Sequence, residues 1–170
     1  MKILQINAVY NIGSTGRTTK EMHDELLAME YDSYVACSIS NVPEDERLFL
    51  IGNKLDRKIH SLMSRITGKQ SYFSNSETKK LLSFIADIKP DVVCLRNMHS
   101  NYINLPVLLE YIIENKIATV IVLHDFWFMT GKCVHFTTTG CYKWKTFCDS
   151  CPNLQNGNPS WFFDKTKEMF

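Results

Sequence analysis

Apolar residues come along this chain in short runs, separated by stretches of helical period. Ile3-Leu4-Gln5-Ile6 reads as a strand and gives way at Asn7 to a loop that runs to Arg17 and contains Gly13 and Gly16. Thr18 to Met29 follows at helical spacing, with Met22, Leu26, Leu27 and Met29 as its apolar positions and Ser14 or Thr15 placed to cap it. Tyr34-Val35-Ala36-Cys37 predicts a second strand and Leu48 to Ile51 a third. Leu55, Ile59, Leu62, Met63 and Ile66 recur as one face of a helix that Gly68 should stop. Ser76 is placed to cap the next helix, with Leu81, Leu82, Phe84, Ile85 and Ile88 facing inward. Lys89-Pro90 ends it, because proline restricts the residue before it. Val92 to Leu95 is a continuous apolar strand. Asn104 caps a further helix carrying Pro106 in its first turn and Leu108, Leu109, Ile112 and Ile113 inward. Thr119 to Leu123 is the clearest strand of all.

Strands apolar on both faces, alternating with helices, predict a parallel sheet covered on both sides: an α/β, Rossmann-like domain over residues 1–125. From Phe126 the pattern breaks. Residues 126–160 mix turn residues, aromatics and cysteines without a period, and are expected to pack on the sheet as a loop subdomain. Residues 161–170 read as the start of a helix leading to a C-terminal domain outside the sequence.

Composition narrows the classes. Hydrophobic residues make up 45% of the 170 and charged residues 22%, as in an ordinary soluble domain. Nineteen basic against eighteen acidic side chains give no field that would favour nucleic acid. No apolar run approaches the roughly 20 residues that span a bilayer, and the N-terminus has no signal-peptide pattern. A cytosolic setting follows, where thiols stay reduced. The six cysteines then call for a role other than disulfides.

Ligands of open parallel sheets bind beyond the carboxyl ends of the strands. Three segments meet that condition: Asn7 to Arg17, Arg96 to Asn101, and His124-Asp125. The Gly13-Ser14-Thr15-Gly16 turn is equally a phosphate cradle or a plain tight connection, since it lacks the dinucleotide and P-loop spacings. His124 and Asp125 suit the orientation of a substrate hydroxyl. Asn97 and His99 share the position with weaker chemistry. Arg96 is a substrate-phosphate ligand or, more commonly for a lone arginine, a solvated charge. Cys133, Cys141, Cys148 and Cys151 are spaced C-x7-C-x6-C-x2-C and can close a structural tetrahedral zinc site, with His135 as a substitute ligand. A redox-active CxxC and plain unligated thiols are the competing readings. Cys37 and Cys94, inside strands, read as small hydrophobes. Trp127, Phe128, Tyr142, Trp144 and Phe147 read as packing for the loop, or as a sugar- or lipid-binding face.

The segments "KPDVVCLRNMHSNYINLPVLLEYI", "VIVLHDFWFMTGKC" and "GCYKWKTFCDSCP", with "INAVYNIGSTGRT" at the start, resemble a branch of the family 4 glycosyltransferases of bacterial capsule, exopolysaccharide and lipopolysaccharide assembly. The resemblance implies a GT-B fold of two Rossmann-like halves, of which this chain is the N-terminal, acceptor-binding one. It implies a nucleotide-sugar donor, a glycan or lipid-linked acceptor, and retaining transfer. It implies that His124 lies near the donor sugar as the catalytic residue, that Gly13 and Gly16 approach the donor diphosphate, and that Asn97 and His99 line the cleft. Cytoplasmic location, with peripheral association at the inner face of the plasma membrane left open, belongs to the same expectation. The branch often has His-Leu-His-Asn where this chain has Cys94-Leu95-Arg96-Asn97, Cys where Phe126 stands and His where Lys132 stands. The rival from another class is a stand-alone zinc-containing interaction module on a Rossmann-like base. A metal hydrolase built on His99, His124 and His135 is a distant third.

Overall fold

The computed structural model describes residues 1–170. Five parallel strands form one sheet: β1 (Lys2–Tyr10), β2 (Asp32–Ser40), β3 (Leu48–Leu50), β4 (Val92–Leu95) and β5 (Ala118–Ile121), in the spatial order β3-β2-β1-β4-β5. The helices are α1 (Gly13–Ala28), α2 (Lys54–Thr67), α3 (Asn75–Ile88), α4 (Leu105–Glu114) and the short α5 (Thr166–Met169). The chain builds outward from β1 through β2 to β3, then returns to lay β4 on the other side of β1. That reversal, between β1 and β4, is the topological switch point of a Rossmann-like sheet, the place where such folds bind ligands beyond the carboxyl ends of their strands.

Leu4, Ile6, Val93 and Leu95 on the two central strands are buried with Leu81 and Ile85 of α3 and Leu108 and Ile112 of α4. Cys37 and Cys94 are buried strand residues, as expected of small hydrophobes. Asn104 caps α4 through its side-chain oxygen, which accepts from Val107 N at 3.2 Å. Gly68 closes α2 in the left-handed region, φ +77°, where a β-carbon would also strike the Phe163 carbonyl at 2.3 Å.

Several expectations are corrected. α1 begins at Gly13 and not Thr18, and neither Ser14 nor Thr15 caps it; its N-cap is Ile12, with no side-chain bond. Its buried face is Gly16, Thr19 and His23, while Met22, Leu27 and Met29 face outward. Small and hydrogen-bonding residues win that face because the helix lies close on β1 and β2: a β-carbon on Gly16 would meet Val9 Cγ2 at 3.1 Å. Ser76 does not cap α3, which starts two residues earlier than such a cap would set it, behind Ser74. The face of α2 is reversed: His60 and Ser64 are inside, and Leu55, Ile59 and Leu62 are exposed. β5 is not covered on both sides. It is an edge strand whose four residues are exposed, and Ile113 of α4 is 73% exposed nearby in sequence.

Residues 126–160 hold only three short 3-10 turns. Trp127 and Phe128 pack against the main core, and the Trp127 indole N–H donates to Gln70 Oε1 at 2.7 Å. Phe136 gathers Phe126, Tyr142 and Trp144 at ring separations of 4.5, 5.6 and 5.0 Å. Packing is therefore a role these aromatics do fill. α5 folds back on the segment after α2, through the Lys69–Glu168 ion pair at 2.8 Å and Gln70 N–H to Met169 Sδ.

Candidate functional site

The carboxyl end of the sheet at the switch point is organised by two buried polar residues. Asn7, at the carboxyl end of β1, donates from Nδ2 to Val9 O, to Thr15 O and to Thr19 Oγ1. Its Oδ1 accepts the Asn97 N–H at 3.1 Å. One side chain thus fixes the glycine turn and the segment after β4 in register across the reversal. The Asn11 N–H, donating to Gly16 O at 2.9 Å, folds the same turn onto the start of α1.

Arg96 is the second. It is only 5% exposed, so the solvated-charge reading is overturned. Its guanidinium donates to Gln5 Oε1 on β1 (2.8 Å), to Thr18 Oγ1 on α1 (3.0 Å) and, from Nε, to His124 Nε2 after β5 (3.3 Å). His124 and the helix that the Gly13–Gly16 turn opens therefore stand on one rim, joined through a single cation. Burial, then the Arg96 charge, hold the His124 imidazole below the usual histidine range. With Nε2 accepting from arginine, the ring carries its proton on Nδ1 and offers a donor outward. A neutral donor beside a cation with no carboxylate partner suits an oxygen-rich or anionic ligand.

His99 and Asp125 form a second pair. His99 Nε2–H donates to Asp125 Oδ2 at 2.8 Å, and Asp125 Oδ1 accepts the Trp127 N–H at 2.9 Å. The carboxylate fixes the ring, so in the neutral form Nδ1 is left as an acceptor. His99 lines a cavity of about 390 Å³ together with Lys132, His135, Thr138, Thr139, Asn153 and Asn156, which set polar groups into a lining that is mostly carbon. Its volume falls within the range of small-ligand clefts, about 300–1,000 Å³. Asn158, also in this lining, has a buried amide nitrogen without a partner.

Cys133, Cys141, Cys148 and Cys151, far apart in the loop, line one further cavity of about 20 Å³. None forms a disulfide. No three His, Cys, Asp or Glu side chains stand ready to hold a metal, neither the four cysteines nor His99, His124 and His135.

The reading from sequence brought His124, Asp125, Asn97, His99, Gly13 and Gly16 to one end of the sheet, and they are there. It did not single out Asn7, and of its two readings of Arg96 the solvated one falls. Polar residues at the carboxyl ends of two apolar strands were the signal that pointed to both.

One comparison with known proteins bears on this geometry. Over 75 residues, 41% of this chain, the sequence is 36% identical to the putative colanic acid biosynthesis glycosyl transferase WcaC of Escherichia coli (strain K12). Over that stretch the chain is related to a glycosyltransferase. It spans only 18% of the length of that relative. No protein-family model matches the chain. No solved structure matches it either.

Proposed function

We propose that this chain is the acceptor-binding half of a retaining GT-B glycosyltransferase of bacterial surface polysaccharide synthesis. A sugar would pass from a nucleotide-sugar to a glycan or lipid-linked acceptor. The observation that carries the reading is the shared rim of His124, Arg96 and the glycine turn beside the His99 cavity. It supports a division of labour. The rim would face the donor, its uncapped α1 amides and the Arg96 cation favouring the diphosphate, with the His124 N–H directed to donor oxygens. The cavity would seat the acceptor, whose hydroxyls match amide and imidazole partners. His99, held by Asp125, would accept a hydrogen bond from an acceptor hydroxyl and so position it. Most cations for the leaving diphosphate would come from the second half of the enzyme, so the 170 residues alone are expected to give no transfer.

Saturation-transfer NMR with a panel of mono- and disaccharides tests the seat. Saccharide binding at millimolar strength is expected, about tenfold weaker in His99→Ala, the cost of one or two hydrogen bonds. No saccharide signal, or sugar turnover by this chain alone, would count against the assignment.

A membrane partner belongs to the same reading. No helix is long and apolar enough to cross a bilayer. α2, however, turns Leu55, Ile59 and Leu62 outward at 65, 53 and 47% exposure. Lys54, Lys58 and Arg65 flank this stripe at i, i+4 and i+11. At the helix end the Trp161 N–H donates to Arg65 O, and Trp161, Phe162 and Phe163 are all exposed. An apolar stripe with basic flanks and aromatics beside it fits the interface of an anionic bilayer. Co-sedimentation with phosphatidylglycerol vesicles is expected, with little on phosphatidylcholine, and Ile59→Asp should abolish it. Equal binding by the variant would defeat this, as would a concentration-dependent dimer that hides the stripe.

A further inference from the structure

We propose that Cys133, Cys141, Cys148 and Cys151 bind one zinc ion as a closed, structural four-thiolate centre, and that this ion holds the wall of the His99 cavity in place. The first support is convergence. Four thiols from a loop without regular structure line a space of about 20 Å³. That is room for about one small ion, a water needing roughly 10–15 Å³, and too little for an iron–sulfur cluster.

The second support is the surroundings of the sulfurs. Cys133 Sγ accepts from Asn153 Nδ2 at 3.6 Å. The backbone amides of Asn153 and Gly131 lie close enough to Cys151 and Cys148 to favour their thiolate forms. Donors of this kind orient thiolate ligands and spread their charge.

The third is Lys132. It is 5% exposed, and its ammonium hydrogen-bonds only to the Asn158 carbonyl. Asp164 lies near enough to act on it, but its carboxylate is taken up by Cys151 N–H and by Thr166. A buried cation needs a counter-charge. Four thiolates around a dication leave two negative charges, directly beside it. Lys143 and Asp149 line the same space and offset each other.

The fourth is the thinness of the loop's own core. Phe136 is the only apolar side chain of residues 126–160 that is buried. A subdomain this poor in buried apolar surface gains its folding free energy elsewhere, and a metal supplies it. The four sulfurs face one space without standing at ligand distance from a common centre. Loading therefore requires the cysteine side chains to rotate inward. With four protein ligands the ion has no open position and serves structure only.

The consequence for function rests on the glycosyltransferase reading. Cys133 lines both cavities, Thr138 and Thr139 lie between the first two cysteines, and Asn153 and Asn156 follow the last. Losing the ion should therefore loosen the saccharide seat while the sheet stays folded.

Metal analysis of protein purified under reducing conditions without added zinc tests the centre independently of sugars. About one zinc per chain is expected. Cobalt exchange should give the intense visible bands of a tetrahedral thiolate site. Cys148→Ser and Cys151→Ser should lose both, and Cys94→Ala should keep them. If the serine variants fail to fold, thiol titration of the chelated wild type serves instead: added zinc should protect the four loop thiols. Iron with sulfide, a Cys148–Cys151 disulfide in place of metal, or zinc unaffected by the serine changes would overturn the proposal. Zinc bound with no saccharide binding would leave the centre standing and sink the acceptor seat.

Discussion

Arg96→Ala is expected to lower the stability of the chain by about 3 kcal/mol, the largest effect of any single residue on the rim. At this chain length that is a fall of roughly 6–12 °C in Tm. The substitution removes three hydrogen bonds to nitrogen and oxygen and a fourth to Met22 Sδ, and leaves Gln5 Oε1, on a fully buried side chain, without its donor. An unsatisfied buried acceptor costs about 1–3 kcal/mol by itself, and the emptied volume adds to it. Arg96→Lys should recover part of the loss, because a single ammonium cannot reach Gln5, Thr18 and His124 together. A readout separates this bridge from ordinary packing. Without the neighbouring cation the His124 pKa should rise toward the ordinary histidine value, which an NMR titration of the ring follows. An unchanged melting temperature together with an unmoved His124 titration would show that the guanidinium bridges nothing.

The bridge also shows how far the sequence could be read. Elements with unmixed patterns were legible. β4 is apolar throughout and β1 nearly so, with Gln5 and Asn7 buried on one face, because both strands sit at the centre of the sheet. The stop at Gly68, the end at Lys89-Pro90 and the cap at Asn104 follow from local chemistry alone. What could not be read was long-range. Arg96 finds its partners at positions 5, 18 and 124, and an isolated arginine carries no sign of them. The His99–Asp125 pair closes over 26 residues in the same way.

The helix faces failed for a different reason. Periodicity reports that a stripe is apolar, not what it meets. On α2 most of the stripe (Leu55, Ile59 and Leu62) faces outward, Met63 and Ile66 are half-buried, and the inward side holds His60 and Ser64 against the turn that follows the helix. β5 misled similarly: an apolar run suits a covered central strand, yet topology puts it at the edge. Both departures leave apolar surface exposed. Such surface in an otherwise consistent chain is where a partner is to be sought.

The inward side of α2 makes a second large effect, on acid stability. His60 is 1% exposed. Its Nδ1–H donates to Ser74 Oγ at 2.8 Å, since the Ser74 hydroxyl proton is given to Asp56. Nε2 is buried without a partner, and the edge of the ring packs on Phe73. Protonation would place an N–H where no acceptor waits, and burial depresses the pKa from 6.5 to about 4. The unfolded chain takes up this proton below its ordinary pKa, while the folded chain refuses it until about pH 4. His60's contribution is therefore complete above pH 6.5 and is lost progressively as pH falls to 4. The gap corresponds to about 3 kcal/mol. His23, also lowered by burial, acts with the same sign. Denaturant unfolding between about pH 7 and pH 4.5 should show a falling midpoint, ahead of most carboxylate titration. His60→Leu should be less stable at neutral pH, having lost the Ser74 bond, but much flatter in that window. A slope as steep in the variant as in the parent would assign the acid sensitivity to other groups.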